Sequence, residues 1–205
     1  MPATFDEVIQ AIVQLCVLAV LLAVLADFLL FDRRRAVKQG KRSIVRTSTM
    51  LLFFLGYYLV IRWGWGVLTI DSQTVRLALM AVGLLLLLAG AIFNILGRLK
   101  LSRNWGNNIK IYTDHTLITT GPFRLVRHPL YASLIWMSIG GALVYRNYLS
   151  LLLTFVIFVP FMTLRARQEE TMLKEEFPEY LEYQSNTGMF FPLFWKKRKG
   201  LTHSG

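Results

Sequence analysis

The chain has a single cysteine among its 205 residues, Cys16, which excludes a disulfide framework and any cysteine-based metal site. Charge is also scarce: Asp, Glu, Lys and Arg make up 17% of the chain, and only 12 acidic side chains face 23 basic ones, for a net charge of +11. Polar residues are not interleaved with apolar ones at amphipathic spacing, which argues against a soluble fold. Apolar residues instead fill 55% of the chain and gather in long blocks, Val8 to Leu30, Ser48 to Ile61, Leu77 to Leu96, Leu130 to Val144 and Tyr148 to Leu164.

At 1.5 Å per residue the first block makes about 35 Å of helix, enough to cross a hydrocarbon core of about 30 Å. Its acidic front end (Asp6, Glu7), its length and the stop-transfer cluster Arg33 to Arg35 predict a retained span and not a cleaved secretory signal. The second block reaches Arg62 early, but Trp63, Trp65 and the run to Ile70 extend it on this reading while Arg62 snorkels outward. The fourth and fifth blocks are short and read as a tight hairpin turning at Tyr145, Arg146, Asn147 and Tyr148. The expected fold is all-α: one membrane-embedded domain of about five transmembrane helices, with three N-terminal spans in residues 8–97.

The basic residues follow the spans. Twenty of the 23 fall between the first two blocks, in Gly97 to Pro129, or after Leu164, leaving Arg62, Arg76 and Arg146 for the other side. The positive-inside rule then places the N-terminus outside and the C-terminus in the cytoplasm. Membrane orientation and attraction to anionic headgroups account for the basicity, so no nucleic-acid partner is expected.

Two polar segments are long enough to build a site, and both fall on the cytoplasmic side. In the first, Gly121-Pro122 marks a turn, and Pro129 pushes His128 towards an extended conformation and suits the first turn of a helix. His128 then sits near the N-cap, where free backbone N–H groups beside Arg127 form a cradle for a carboxylate or phosphate. The plainer alternative, that Arg127 and His128 only cap the helix at the interface, is equally consistent with the residues. The second segment opens with Arg165, Arg167, Glu169 and Glu170. Arg165 and Glu169 are i, i+4 neighbours and Arg167 and Glu170 i, i+3 neighbours, which makes two ion pairs available. On a solvated surface each contributes about 0.2–0.5 kcal/mol, but these emerge at the membrane surface, level with His128. An aromatic tail follows, from Met172 through Tyr180, Tyr183, Met189, Phe190 and Phe191 to Phe194 and Trp195; it either lies in the interface or lids a pocket. Gly83, Gly90 and Gly97 share one face of the third helix, as close packing requires, and Asp27 and Asn94 are expected to snorkel.

The order Gly-Pro-Phe, Arg127-His128-Pro129-Leu130-Tyr131, an apolar hairpin, Glu169-Glu170, Leu173 and Glu179-Tyr180-x-x-Tyr183 resembles the isoprenylcysteine carboxyl methyltransferases and the related phospholipid N-methyltransferases. The likeness covers roughly residues 113 to 183. It implies a catalytic region over residues 98–205, comprising the hairpin 130–164 and a cytoplasmic tail. The implied cofactor is S-adenosyl-L-methionine, placed against Thr116, Ile118, Gly121, Val126, Arg127, His128, Pro129, Tyr131 and Glu170. Arg165, Arg167 and Glu169 are left to act on a lipid-like acceptor that enters from the bilayer. The soluble methyltransferase fold is not indicated, because no strand followed by a Gly-rich turn is present. Methyl transfer from a sulfonium needs alignment and no metal. The crowding of Arg124, Arg127, Arg165 and Arg167 favours the carboxylate of a prenylated cysteine over a lipid amine, which would instead need Glu169 or Glu170 as base. Membrane sterol reductases, which use NADPH, carry a similar Arg-His-Pro-x-Tyr stretch but leave the Glu-Glu pair unexplained; a non-catalytic scaffold explains neither polar constellation.

Overall fold

In hydrocarbon every backbone N–H and C=O must be satisfied within its own segment, so long apolar blocks become helices. A computed structural model of the chain describes residues 5–31, 37–41, 47–101, 109–112 and 117–193. The five blocks appear as helices: α1 (Phe5–Phe31), α2 (Thr47–Arg62), α3 (Gln73–Leu101), α4 (Pro129–Val144), and a rod in which α5 (Tyr148–Leu153) passes through a π-turn (Thr154–Phe158) into α6 (Val159–Glu176). A short α7 (Tyr180–Asn186) follows. Two elements are not helical: β1 (Val37–Lys41) pairs antiparallel with β2 (Ile109–Tyr112), joining two connections that the sequence assigns to the same side.

Gln73–Leu101 and Tyr148–Glu176 are each 29 residues long, with mean hydropathies of 2.5 and 2.0, long and apolar enough to cross a membrane. Only 28% and 33% of their apolar windows are buried, unlike the core helix of a soluble protein. Leu85, Ile92, Leu99, Phe155 and Val156 all point outward. An outward apolar surface of that extent calls for lipid.

Without a hydrophobic drive between helices, close packing and interhelical hydrogen bonds must hold them together. The most extensive contact is α3 on α4, and the glycine face makes it possible. A Cβ on Gly83 would lie 2.7 Å from the Gly140 carbonyl oxygen, one on Gly140 2.6 Å from that of Gly83, and one on Gly90 2.9 Å from that of Ser133. Asn94 lies within the same contact, fully buried, and donates to Ser133 Oγ at 2.7 Å, while Arg98 Nε donates to Asn94 Oδ1 at 2.7 Å. The expectation that Asn94 snorkels is therefore corrected: its amide is satisfied across the helix pair and needs no water. Asp27 has no described side chain. On the other flank, Ile9, Val13, Cys16 and Val20 of α1 pack against Leu87 and Ala91 of α3.

The second helix also ends earlier than its apolar run suggested. Gly64 and Gly66 take φ of +70° and +78°, which turns the chain after Arg62, and Trp63 and Trp65 remain exposed. The loop then docks on the α4–α5 turn: Asn147 Nδ2 donates to the Trp65 carbonyl at 2.8 Å, Tyr148 N to that of Gly66 at 2.9 Å, and Asn147 Oδ1 caps α5 by accepting from Ser150 N at 2.8 Å. The connection between α4 and α5 thus runs over Tyr145, Arg146 and Asn147, and Arg62 and Arg146 lie at the end of the bundle away from His128.

Gly83→Ala is expected to lower the thermal unfolding temperature of the detergent-solubilised protein by the equivalent of about 1–3 kcal/mol, the usual cost of overpacking. Gly56→Ala, where a Cβ meets nothing within 4 Å, should be neutral or stabilising by about 0.5–1 kcal/mol. Equal unfolding temperatures for wild type and Gly83→Ala would mean that the close α3–α4 contact does not form.

Candidate functional site

Pro129 starts α4 and leaves the preceding residues extended, so the segment ahead of it can run alongside another chain segment. It does: Val126 and Gly188 form a parallel bridge, Arg127 N donates to the Gly188 carbonyl at 2.8 Å, and His128 N to that of Met189 at 3.2 Å. A 3-10 turn, Gly121–Arg124, precedes this strap; Gly121 enters it at φ +63°, and the Phe123 carbonyl accepts from Tyr183 Oη at 2.6 Å. Residues 123–128 and 183–189 are thus stitched together from distant parts of the sequence.

Below this seam, α6 presents Glu169 and Glu170 to the start of α4. Glu170 Oε1 accepts from Arg127 Nε at 2.7 Å and lies 3.1 Å from His128 Nε2, while its Oε2 accepts from Gln184 Nε2 at 2.7 Å. Glu169 takes the other side of the imidazole, with Oε2 3.4 Å from His128 Nδ1, and also accepts from the Tyr131 hydroxyl. Arg165 Nε donates to Tyr131 Oη at 2.8 Å and lies 3.8 Å from Glu169 Oε1; its Nη1 reaches Met50 Sδ of α2 at 3.8 Å. His128 therefore bridges two neighbouring carboxylates, each with its own arginine, and its ring stacks on Tyr131 at 5.6 Å.

Glu170 and His128 lie beyond the apolar stretches, and the contacts fix their charge. Burial alone would raise the Glu170 pKa, but hydrogen bonds from His128 and Arg127 overcome it and hold the carboxyl at about 2. Burial alone would lower that of His128, but its bonds to Glu169 and Glu170 outweigh the desolvation and raise it above 6.5.

Several sequence expectations change here. The backbone amides of Arg127 and His128 are taken by the Gly188 and Met189 carbonyls, and the Arg127 guanidinium also donates to the Thr187 and Gln184 carbonyls. Glu170 pairs with Arg127 across the fold and not with Arg167 along the helix. Arg167 instead lines an open groove of ≈ 390 Å³ together with Arg127, Glu170, Thr171, Lys174, Gln184 and Met189. Val126 and Pro129 are packed into the interior. Gly121 faces the Lys100 stem, and half-buried Ile118 is not among the groove residues. Thr116 lies outside the described residues, as do Phe194 and Trp195. Of the aromatic tail, Tyr180, Tyr183 and Phe190 are buried against the site while Leu181 and Phe191 face outward. Sequence reasoning misses Gln184 and Lys174; only the adjacent Tyr180-x-x-Tyr183 pattern hints at the first of them.

Linkage follows from these shifts. The contribution of His128 to stability is fully present below pH 6.5 and is lost as pH rises through its raised folded-state value; that of Glu170 is present above its ordinary 4.5 and is lost as pH falls through about 2. Thermal unfolding should therefore show an alkaline decline above pH 6.5, and His128→Gln should flatten it. An unchanged alkaline decline in His128→Gln would assign that limb to other groups.

Comparison with known proteins bears on the same residues. Protein-S-isoprenylcysteine O-methyltransferase of Saccharomyces cerevisiae is 38% identical over 81 residues, 39% of this chain and 34% of that protein. The nickel-cobalt-cadmium resistance protein NccN of Alcaligenes xylosoxydans xylosoxydans is 32% identical over 142 residues, 66% of this chain and 61% of that protein. The chain thus spans between one third and about three fifths of the length of these relatives. A solved structure described as the eukaryotic intramembrane Ras methyltransferase ICMT superposes with a TM-score of 0.58 at 21% identity, covering 73% of this chain and 54% of that one, a likeness of fold. Residues 81–175, which carry Arg127 to Tyr131 and the Glu169-Glu170 pair, match the model of the isoprenylcysteine carboxyl methyltransferase (ICMT) family, and it is to this family that the sequence resemblance points.

Proposed function

We propose that this chain is an S-adenosyl-L-methionine-dependent carboxyl methyltransferase of a membrane, acting on the C-terminal carboxylate of an isoprenylated cysteine. The observation that carries the reading is the division of labour around His128: Glu170 is fixed by Arg127 and Gln184 beside the polar groove, while Glu169 is held with Tyr131 and Arg165 next to Met50 and the apolar helices. The family match and the relatives named as protein-S-isoprenylcysteine O-methyltransferases support it.

The groove suits the cofactor by its donor set. Glu170 and the Gln184 side chain offer acceptors to an ammonium, and Arg167 and Lys174 offer cations to a carboxylate, which together match a zwitterionic amino-acid tail. When bound, S-adenosyl-L-methionine supplies a sulfonium methyl for direct displacement. Arg165, pre-oriented by Tyr131 and Glu169, holds the acceptor carboxylate. A carboxylate needs no base, so the chain contributes alignment, which is worth up to about 7–11 kcal/mol. A lipid-amine acceptor finds one point of support: the Glu169 side chain is 26% exposed against 5% for Glu170, open enough to take a proton.

The proposed topology has five spans, with the rod of α5 and α6 as the last, the N-terminus outside and the His128 end in the cytoplasm. In a Cys16→Ser background, a single cysteine at Gln73 should react with an impermeant thiol reagent in intact cells and one at Lys174 should not. Reversed labelling would overturn the orientation.

Membranes incubated with methyl-labelled S-adenosyl-L-methionine should yield a product that releases volatile methanol in mild alkali. Label that survives alkali in a phospholipid fraction would establish the amine reading instead. Glu170→Ala and His128→Ala should weaken cofactor binding about tenfold or more, about 1.4 kcal/mol. Arg167→Ala, at the groove, should also weaken cofactor binding, whereas Glu169→Ala should chiefly lower kcat. Wild-type kinetics in all four would reduce the cluster to a structural ion-pair network.

A further inference from the structure

Along the rod from Tyr148 to Glu176 runs a buried seam at four-residue spacing: Ser150, Thr154, Phe158, Met162 and Ala166 are each 0% exposed and Glu170 is 4% exposed, with Arg165 and Met172 buried beside its end. A four-residue seam is out of step with a 3.6-residue helix. Each step advances by about 40°, so the five steps from Ser150 to Glu170 would turn the seam by about 200° and leave its two ends on opposite faces. Both ends are nevertheless fixed to the bundle, Ser150 through the Asn147 cap and Glu170 through Arg127 and His128.

The π-turn brings them closer. Val159 N donates to the Thr154 carbonyl, five residues back, which fits one extra residue into the turn and sets everything beyond it back by about 100°, half the drift. Local chemistry supports the wide turn at this point. Thr154 Oγ1 donates to the Ser150 carbonyl at 2.8 Å, and the Phe158 ring stacks on Phe53 of α2 at 4.4 Å and 12°. Pro160 follows directly; it has no N–H to donate, and in an unbroken α-helix its ring would crowd the Val156 carbonyl.

We infer that the Thr154–Phe158 π-turn is a positioning element for the site: it sets the rotation of α6 so that Arg165, Glu169 and Glu170 face His128 and Tyr131. The inference rests on the site proposed above but concerns its assembly and not its reaction. The effect of the turn is carried by the register of the helix.

The test deletes Val156, which is 63% exposed and so contributes little packing, to convert the π-turn to α-helix. A second variant combines that deletion with one alanine inserted between Leu152 and Leu153, which restores the residue count between Asn147 and Arg165. Two quantities are read in detergent: the alkaline decline in thermal stability caused by the His128 contacts, and binding of labelled S-adenosyl-L-methionine. The π-turn holds one residue more than the α-turn that replaces it, so the deletion should leave α6 in its present rotation, keep the alkaline decline and bind within about tenfold of wild type. The compensated variant carries the full residue count on an unbroken helix, which turns α6 by about 100°; it should lose the alkaline decline and bind at least a hundredfold more weakly, or fail to give a monodisperse folded protein. Loss of both properties in the deletion variant, or their retention in the compensated variant, would overturn the inference. The pH readout needs no methyl transfer, so a decline kept by the deletion variant and lost by the compensated one, without cofactor binding in either or in the wild type, would uphold the positioning role and count against the methyltransferase reading alone.

Discussion

A carboxylate with almost no solvent contact must be paired or it will not remain charged, and Glu170 meets that demand with three partners from two parts of the chain. Arg127 and His128 come from the start of α4, and Gln184 from α7. Removing any one of them leaves a buried charge under-compensated, so the ionised Glu170 fixes the relative placement of α4, α6 and the α7 strap. The second cluster depends on this. Glu169 is the neighbouring residue of α6, and the rotation that brings Glu170 to Arg127 and His128 also brings Glu169 to Tyr131 and His128.

The rest of the bundle holds α4 and α6 where this pairing can occur. α4 is fixed by close approach to α3, with backbone nearly touching backbone at Gly83 and Gly140 and a hydrogen bond from Asn94 to Ser133 one turn from Pro129. The rod of α5 and α6 is fixed at its far end by the Asn147 cap and in its middle by the Phe53–Phe158 stack. A membrane protein has little hydrophobic drive between helices, so such short-range contacts are the ones available to it. The polar cluster then occupies one end of an otherwise apolar assembly.

Reading the polar segments as helix surface accounts for what the sequence misassigned. An i, i+3 relation between Arg167 and Glu170 is a true statement about an isolated helix, but a partly solvated pair is worth little beside a buried bidentate-capable arginine arriving from another element. The backbone amides of Arg127 and His128, just ahead of α4, are likewise consumed here by a strap about 60 residues away. Neither competitor leaves a trace in local spacing.

The sequence by itself determined the helices, because block length and apolarity are local quantities and hydrocarbon admits few other structures. It also determined the Tyr145–Tyr148 turn, the glycine face of α3, and the residue types gathered at the Arg127–Tyr131 and Arg165–Glu170 segments. Only the tertiary structure decided which arginine belongs to which glutamate, that Gln184 and the Thr187–Met189 strap complete the site, that Asn94 bonds across a helix pair, and that α2 ends at a glycine turn. These are choices between partners of similar chemistry, and they are settled by which groups the folded chain brings within about 3 Å of one another, a relation that residues far apart in sequence acquire only on folding.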